Sequence, residues 1–185
     1  MQGVNPQDET QELPSAQGIR AALEAQVGEW LRRRDLKLVA AESCTGGLIG
    51  HRITNVPGAS DYFIGSIIAY AYEAKQRLLG VSAVTLENHG AVSREVVLEM
   101  AHGARTALVG DFSLEQLVSV SVSGIAGPDG GTPQKPVGTV WIGLSAPGEE
   151  RAWQYLFQGD RLNVKAQAAE QALANLLEYL QEKGA

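Results

Sequence analysis

The stretch "LKLVAAESCTGGLIGHRIT", residues 36–54, decides the fold. Its opening "LKLVAA", 36–41, is a short apolar run with β-branched character, as expected of a buried strand. "ESCTGG", 42–47, turns the chain through two glycines, and "GLIGHRIT", 47–54, is compatible with a helix. Strand, tight turn and helix thus follow one another. Beyond the loop "NVPGASDYF", the run "IGSIIAYA", 64–71, reads as a second buried strand, and "YEAKQRLLG" as a short helix closed by Gly80. Together these segments make a β-α-β unit.

The pattern continues in both directions. Ile19, Leu23, Val27, Trp30 and Leu31 recur every three or four residues, which predicts a helix with one buried face ending near Arg34. The Arg32–Arg34 run invites an anion-binding reading, but basic residues in a last turn also complement the helix dipole. From Ser93, a suitable N-cap, Val96, Val97, Met100, Ala101, Ala104 and Leu108 mark a helix of about four turns. "LVSVSVSG", 117–124, alternates valine with serine, so a strand there has one apolar face and one small polar face that admits a close helix. "TVWIGLSA" and "RAWQYLF" are joined by the turn "PGEE", which predicts an antiparallel hairpin. A last helix begins near Asp160, with Val164, Ala168, Ala172, Leu176 and Leu180 on one face. The expected fold is α/β, a three-layer α/β/α sandwich with a mixed, mostly parallel sheet. Its ligand loops, 42–47, 70–75 and 124–137, should gather beyond the carboxyl ends of the parallel strands.

A chain of 185 residues suits one domain, here expected over 15–185, after a polar leader at 1–14 on which no function should depend. The net charge of −6 provides no footprint for a polyanion, so no direct nucleic-acid partner is expected. Cys44 is the single cysteine and cannot form an internal disulfide, no Cys/His spacing suits a metal, and no apolar run is long enough to span a membrane. The reading is a cytoplasmic protein with no metal and no membrane partner.

Chemistry concentrates in "AAESCTGG", where Ser43, Cys44 and Thr45 stand together before two glycines. Free backbone N–H groups between a strand and a helix favour an anion or an oxyanion. The plainer alternative is a glycine turn whose Ser43 or Thr45 merely caps the helix. The spacing matches neither a P-loop nor a G-x-S-x-G elbow.

In order and spacing, "AAESCTGG", "AYAYEAK", "GAVS", "SGIAGPDGG", "KPVGTV" and "FQGDR" resemble the C-terminal domain of the competence/damage-inducible CinA proteins, a family that includes nicotinamide-nucleotide amidases. The resemblance runs from about residue 18 to 182. It implies hydrolysis of the carboxamide of nicotinamide mononucleotide, giving nicotinic acid mononucleotide and ammonia, with no metal or other cofactor. The larger CinA proteins carry a second domain, and this chain looks like a stand-alone amidase domain. The family's serine falls on Ser43, its lysine on Lys75 and its tyrosine on Tyr70. A serine hydroxyl needs a base, and a lysine serves only if its pKa is lowered. The helix dipole at Lys75 contributes well under one pKa unit, so burial must supply the remainder, with Glu73 working against it. Tyr70 could hydrogen-bond Ser43 or Lys75 and pass a proton to the departing ammonia.

An oxyanion hole is expected from backbone N–H groups at Cys44, Thr45, Gly46 and Gly47, or from the glycine-rich loop with Gly127 and Gly130. The substrate phosphate must then sit elsewhere, on Thr132 and Lys135 or on Arg161 and Lys165. Where the family usually has arginine, this chain has Lys165, which keeps the charge but loses the bidentate fork. It also has "YAY", 70–72, where "YSN" is common. His51, His89 and His102 offer a less favoured triad with Ser43, and Asp61, Asp111 and Asp129 read as turn residues. A nucleotide-binding module of the same fold without turnover is the competing function. The partner expected is a small pyridine nucleotide, and a homo-oligomer is admitted.

Overall fold

A computed structural model describes residues 22–110 and 112–183 of the protein. The expected leader, Ile19 and Asp111 lie outside them. Helix α1, Leu23–Arg33, leads into β1, Lys37–Glu42, then α2, Leu48–Thr54, and β2, Phe63–Ile68. Three helices follow: α3, Tyr72–Leu79, α4, Ala83–His89, and α5, Arg94–Ala107. Strands β3, Leu117–Gly124, β4, Thr139–Ala146, and β5, Glu149–Leu156, precede the long α6, Arg161–Glu182.

The five strands lie in the order β2-β1-β3-β4-β5. β1 pairs in parallel with β2 and β3, whereas β3–β4 and β4–β5 are antiparallel. Four of the five strands therefore point the same way, and only β4 runs against them. Leu38 to Ala41 are fully buried because β1 is central and covered on both faces. Leu38 and Ala40 join the core formed with α1, α2 and α6, while Val39 and Ala41 face α3, α4 and α5. The sandwich has the three layers read from the sequence.

The Val/Ser alternation of β3 has a specific consequence. Val118, Val120 and Val122 enter the first core, and the serines point at α5 and its approach. Ser119 and Ser121 donate to the carbonyls of Ala101 and Val97 at 2.6 and 2.5 Å, and Ser123 to that of Ala91 at 2.7 Å. Across the ladder Ser121 pairs with Gly143, where a Cβ would stand 2.5 Å from the Val97 carbonyl oxygen. Small side chains let α5 lie directly on the sheet.

Local signals set most boundaries. Ser93 and Asp160 cap α5 and α6 by accepting the N–H groups of Val96 and Asn163, and Gly80 ends α3 at φ 65°. The hairpin turn is only Pro147–Gly148, because Glu149 and Glu150 already pair with Ala146 and Ser145. α4 is not anticipated by the apolar periodicity; Ser82 caps it and Glu99 of α5 accepts both the Ser82 N–H and the Thr85 hydroxyl. The Arg32–Arg34 run is engaged locally: Arg32 on Asp61 and the Gly58 carbonyl, Arg33 on Glu29, Arg34 over the Tyr179 ring. Among the described residues no helix is long and apolar enough to cross a membrane, and no group of three or more His, Cys, Asp or Glu could hold a metal.

Candidate active site

Glu42, the last residue of β1, pairs with Ile68 on one side and Val122 on the other, so the turn that follows emerges from the middle of the sheet. The Ser43 N–H extends the ladder to the Val122 carbonyl at 3.0 Å, and the Gly46 N–H closes back onto the Ser43 carbonyl at 3.2 Å. Gly46 and Gly47 take φ of 64° and 98°, a left-handed pair that other residues adopt only under strain. The glycines are thus explained by the turn itself.

The feature missed by sequence reasoning is the acid before the serine. Glu42 is fully buried, and its carboxylate accepts the N–H groups of Gly47 and Ile49 at 2.8 and 3.2 Å through Oε2. Oε1 accepts the Gly50 N–H at 3.0 Å and the Ser66 hydroxyl at 2.8 Å. An anion from the protein itself therefore occupies the start of α2, where both the oxyanion and the capping readings had placed other groups. The signal was legible: a carboxylate just ahead of a helix complements its dipole. Neither Ser43 nor Thr45 caps α2, and the Gly47 N–H is committed to Glu42. The N–H groups of Cys44 and Thr45 are not among the turn's internal hydrogen bonds.

Ser43 and Lys75 meet across 32 residues of sequence. Lys75 is 1% exposed, and its Nζ lies 3.0 Å from Ser43 Oγ. The same Nζ donates to the Ala69 carbonyl at 2.8 Å and the Tyr70 carbonyl at 3.0 Å. Those carbonyls are free because the chain leaves β2 at Ile68 and turns before α3 begins. Burial lowers the Lys75 pKa to about 8, and only the neighbouring Cys44 opposes it. Glu73, expected to oppose it too, is exposed and is not among the causes. A neutral amine has two N–H groups and one lone pair; with both N–H groups held by carbonyls, the lone pair faces the serine. Burial raises the Cys44 thiol to about 11, which leaves it protonated and unreactive at neutral pH.

Tyr70 takes a different position from the one expected. Its carbonyl, not its hydroxyl, meets Lys75, and the phenol oxygen accepts from Arg161 at 3.0 Å with the side chain largely exposed. Arg161 also donates to the Gly127 carbonyl at 2.7 Å, tying the start of α6 to the glycine-rich loop. Thr132 and Lys135 do not join Ser43. The Thr132 hydroxyl accepts the Lys135 N–H, and Lys135 Nζ donates to the His89 and Val92 carbonyls beside α4. Gly127 and Gly130 have φ of 82° and 90° and shape that loop. Of the histidines, His89 and His102 face Glu95 and Glu150, and His51 lies by Asn55.

A cleft of about 310 Å³ adjoins the serine turn, lined by Thr45, Gly46, Gly47, Leu48, His51, Leu162 and Lys165. A larger one, about 480 Å³, runs along Leu79, Glu99 and Glu150 and contains, of the residues nominated from the sequence, His102, one of the less favoured histidines. The smaller cleft is the one next to the chemistry.

The class of protein is now defined: an α/β/α sandwich whose central strand delivers a serine onto a buried lysine. The model of the CinA C-terminal domain matches residues 20–180, and the chain belongs to that family. It is 50% identical over 151 residues to a CinA-like protein of Salinibacter ruber, covering 82% of this chain and 35% of that protein. The chain thus spans about a third of the length of the curated relatives it matches. Among solved structures, a competence-damaged protein (CinA) superfamily protein from Klebsiella pneumoniae aligns with TM-score 0.80 and 34% identity, covering 86% of this chain and 96% of that one. A CinA superfamily protein from Escherichia coli aligns with TM-score 0.75 and 30% identity, over 96% and 99% of the two chains.

Proposed function

We propose that the protein is an amidohydrolase that converts nicotinamide mononucleotide to nicotinic acid mononucleotide and ammonia, with Ser43 as nucleophile and Lys75 as base. The observation that carries this reading is the buried Lys75 Nζ, 3.0 Å from Ser43 Oγ and held by two carbonyls. Lys75 takes the hydroxyl proton as Ser43 Oγ attacks the carboxamide carbon. The oxyanion forms against the N–H groups of Cys44 and Thr45, the pair not used inside the turn. The Lys75 ammonium, stabilised by the Ala69 and Tyr70 carbonyls, returns the proton to the departing nitrogen, and ammonia leaves an acyl-serine. Lys75 then deprotonates a water that attacks the ester, and its proton goes back to Ser43 as the carboxylate product departs.

Only the neutral amine can accept a proton, and a pKa of about 8 leaves roughly a tenth of it neutral at pH 7. Ammonia release should therefore rise with pH and level off above about 8. It should vanish in Ser43→Ala and fall at least ~10²-fold in Lys75→Met. Wild type that binds the nucleotide without releasing ammonia, the behaviour of a binding module, would defeat the reading; Lys75→Met within threefold of wild type would defeat the lysine's role.

A further inference from the structure

Tyr72 opens α3, and Lys75 stands three residues later on the same face of that helix. Lys75 Nζ reaches back past the helix start to the carbonyls of Ala69 and Tyr70, so the dyad with Ser43 sits beside residues 69–72. The Tyr72 hydroxyl accepts the Ala91 N–H at 3.3 Å, in the segment that leads into α5. The Ala91 carbonyl accepts the Ser123 hydroxyl, and Ser123 follows Val122, whose carbonyl takes the Ser43 N–H. Tyr72 therefore spans the start of α3 and the end of β3, the parts of the fold that hold the lysine and the serine N–H.

The dyad is buried, with Ser43 7% and Lys75 1% exposed, whereas Tyr72 is 50% exposed. Its ring is fixed at one end by the helix and at the other by Ala91, so an aromatic face stands open beside a buried site. The fold makes no use of that face: Tyr72 belongs to neither core, and among the described residues no cation lies over its ring. It is also this chain's own feature, since "YAY" stands where "YSN" is common in the family. The substrate of the proposed reaction has the matching chemistry. Its carboxamide is borne by a pyridine ring whose nitrogen is bonded to ribose, which makes the ring a quaternary cation, and aromatic faces attract such cations. Lys75 does not repel it while acting as base, because the amine is then neutral.

We propose that the Tyr72 ring is the wall against which a cationic pyridinium carboxamide lies when its amide carbon meets Ser43, so that this chain selects amides borne by a positively charged aromatic ring. The inference rests on the amidase reading for the identity of the nucleotide, but the selectivity can be read from binding alone.

The test titrates Ser43→Ala protein calorimetrically with nicotinamide mononucleotide and with its C-nucleoside analogue, in which a neutral benzamide ring replaces the pyridinium. Adding Tyr72→Leu should cut the preference for the cationic ring at least ~5-fold, within the roughly 2- to 30-fold that a cation on an aromatic face supplies. Adding Tyr72→Phe, which keeps the face and loses the Ala91 bond, should leave that preference within about twofold. In the Ser43 enzyme, Tyr72→Leu should raise KM with kcat little changed, because the ring stays cationic from substrate to transition state. An unchanged preference in Tyr72→Leu, loss of the preference in Tyr72→Phe, or no binding of either nucleotide to Ser43→Ala overturns the wall. A fall in kcat at unchanged KM would make Tyr72 a support for Lys75 and overturn it too. A Tyr72-dependent preference for the cation without any ammonia release from wild type would instead uphold the wall and overturn the amidase reading.

Discussion

Glu42 and Lys75 are two buried ionisable residues handled in opposite ways. Glu42 is satisfied by donors, three N–H groups and a hydroxyl converging on its two oxygens. Glu42→Gln halves the acceptors and turns an amide N–H₂ against donors, so the unfolding free energy should drop by about 1–3 kcal/mol. The serine turn should loosen with it, lowering kcat at least ~10-fold. Burial, not Glu42, sets the Lys75 pKa, so the midpoint of the pH–rate profile should stay near 8. A midpoint displaced by a full pH unit in Glu42→Gln would show that the carboxylate acts on the lysine's charge and not on the turn. The serine was legible because its turn is local, whereas the role of Glu42 depends on Ser66, 24 residues away, and could be read only as a dipole preference.

At the scale of the element, the contact between β3 and α5 is the one most exposed to error. Ser119, Ser121 and Ser123 each place a hydroxyl against a main-chain carbonyl of α5 or its approach, and Gly143 leaves no room for a Cβ. Ser121→Val replaces a donor in close contact with Val97 by two methyl groups. It should destabilise the protein by about 1–3 kcal/mol in chemical denaturation. Ser121→Ala, which only deletes the hydrogen bond, should cost about 1 kcal/mol. Equal effects from the two would mean that the hydroxyl, not the close approach, holds α5 in place. The alternation in "LVSVSVSG" announced a small polar face, and the helix found there has the periodicity that Val96, Val97, Met100 and Ala104 announced. α4 was not announced, because seven residues with one buried side chain, Leu86, make too short a pattern to detect and its cap depends on Glu99.

For the molecule as a whole, the base that activates the serine is also a burden on stability. The Lys75 amine falls to about 8 from an ordinary 10.5 because burial penalises its charged form. Below pH 8 the folded and unfolded chains both hold the proton, and the folded chain bears the full cost. Between about 8 and 10.5 only the unfolded chain holds it, so this residue's contribution to stability rises with pH, by about 3 kcal/mol in all. The stability of Lys75→Met relative to wild type should therefore fall by that order between pH 7.5 and 10.5, measured by denaturant unfolding; a difference constant across that range would contradict a lowered lysine pKa. The sequence by itself determined the alternation of strands and helices, the cap at Ser93, the start of the last helix near Asp160, and the serine turn, because each is written in neighbours a few residues apart. Only the tertiary structure decided which groups meet: Lys75 with Ser43 across 32 positions, and Arg161 with Tyr70 across 91. Long, flexible cations are placed by burial and by the carbonyls that loops leave free, and no local pattern encodes either.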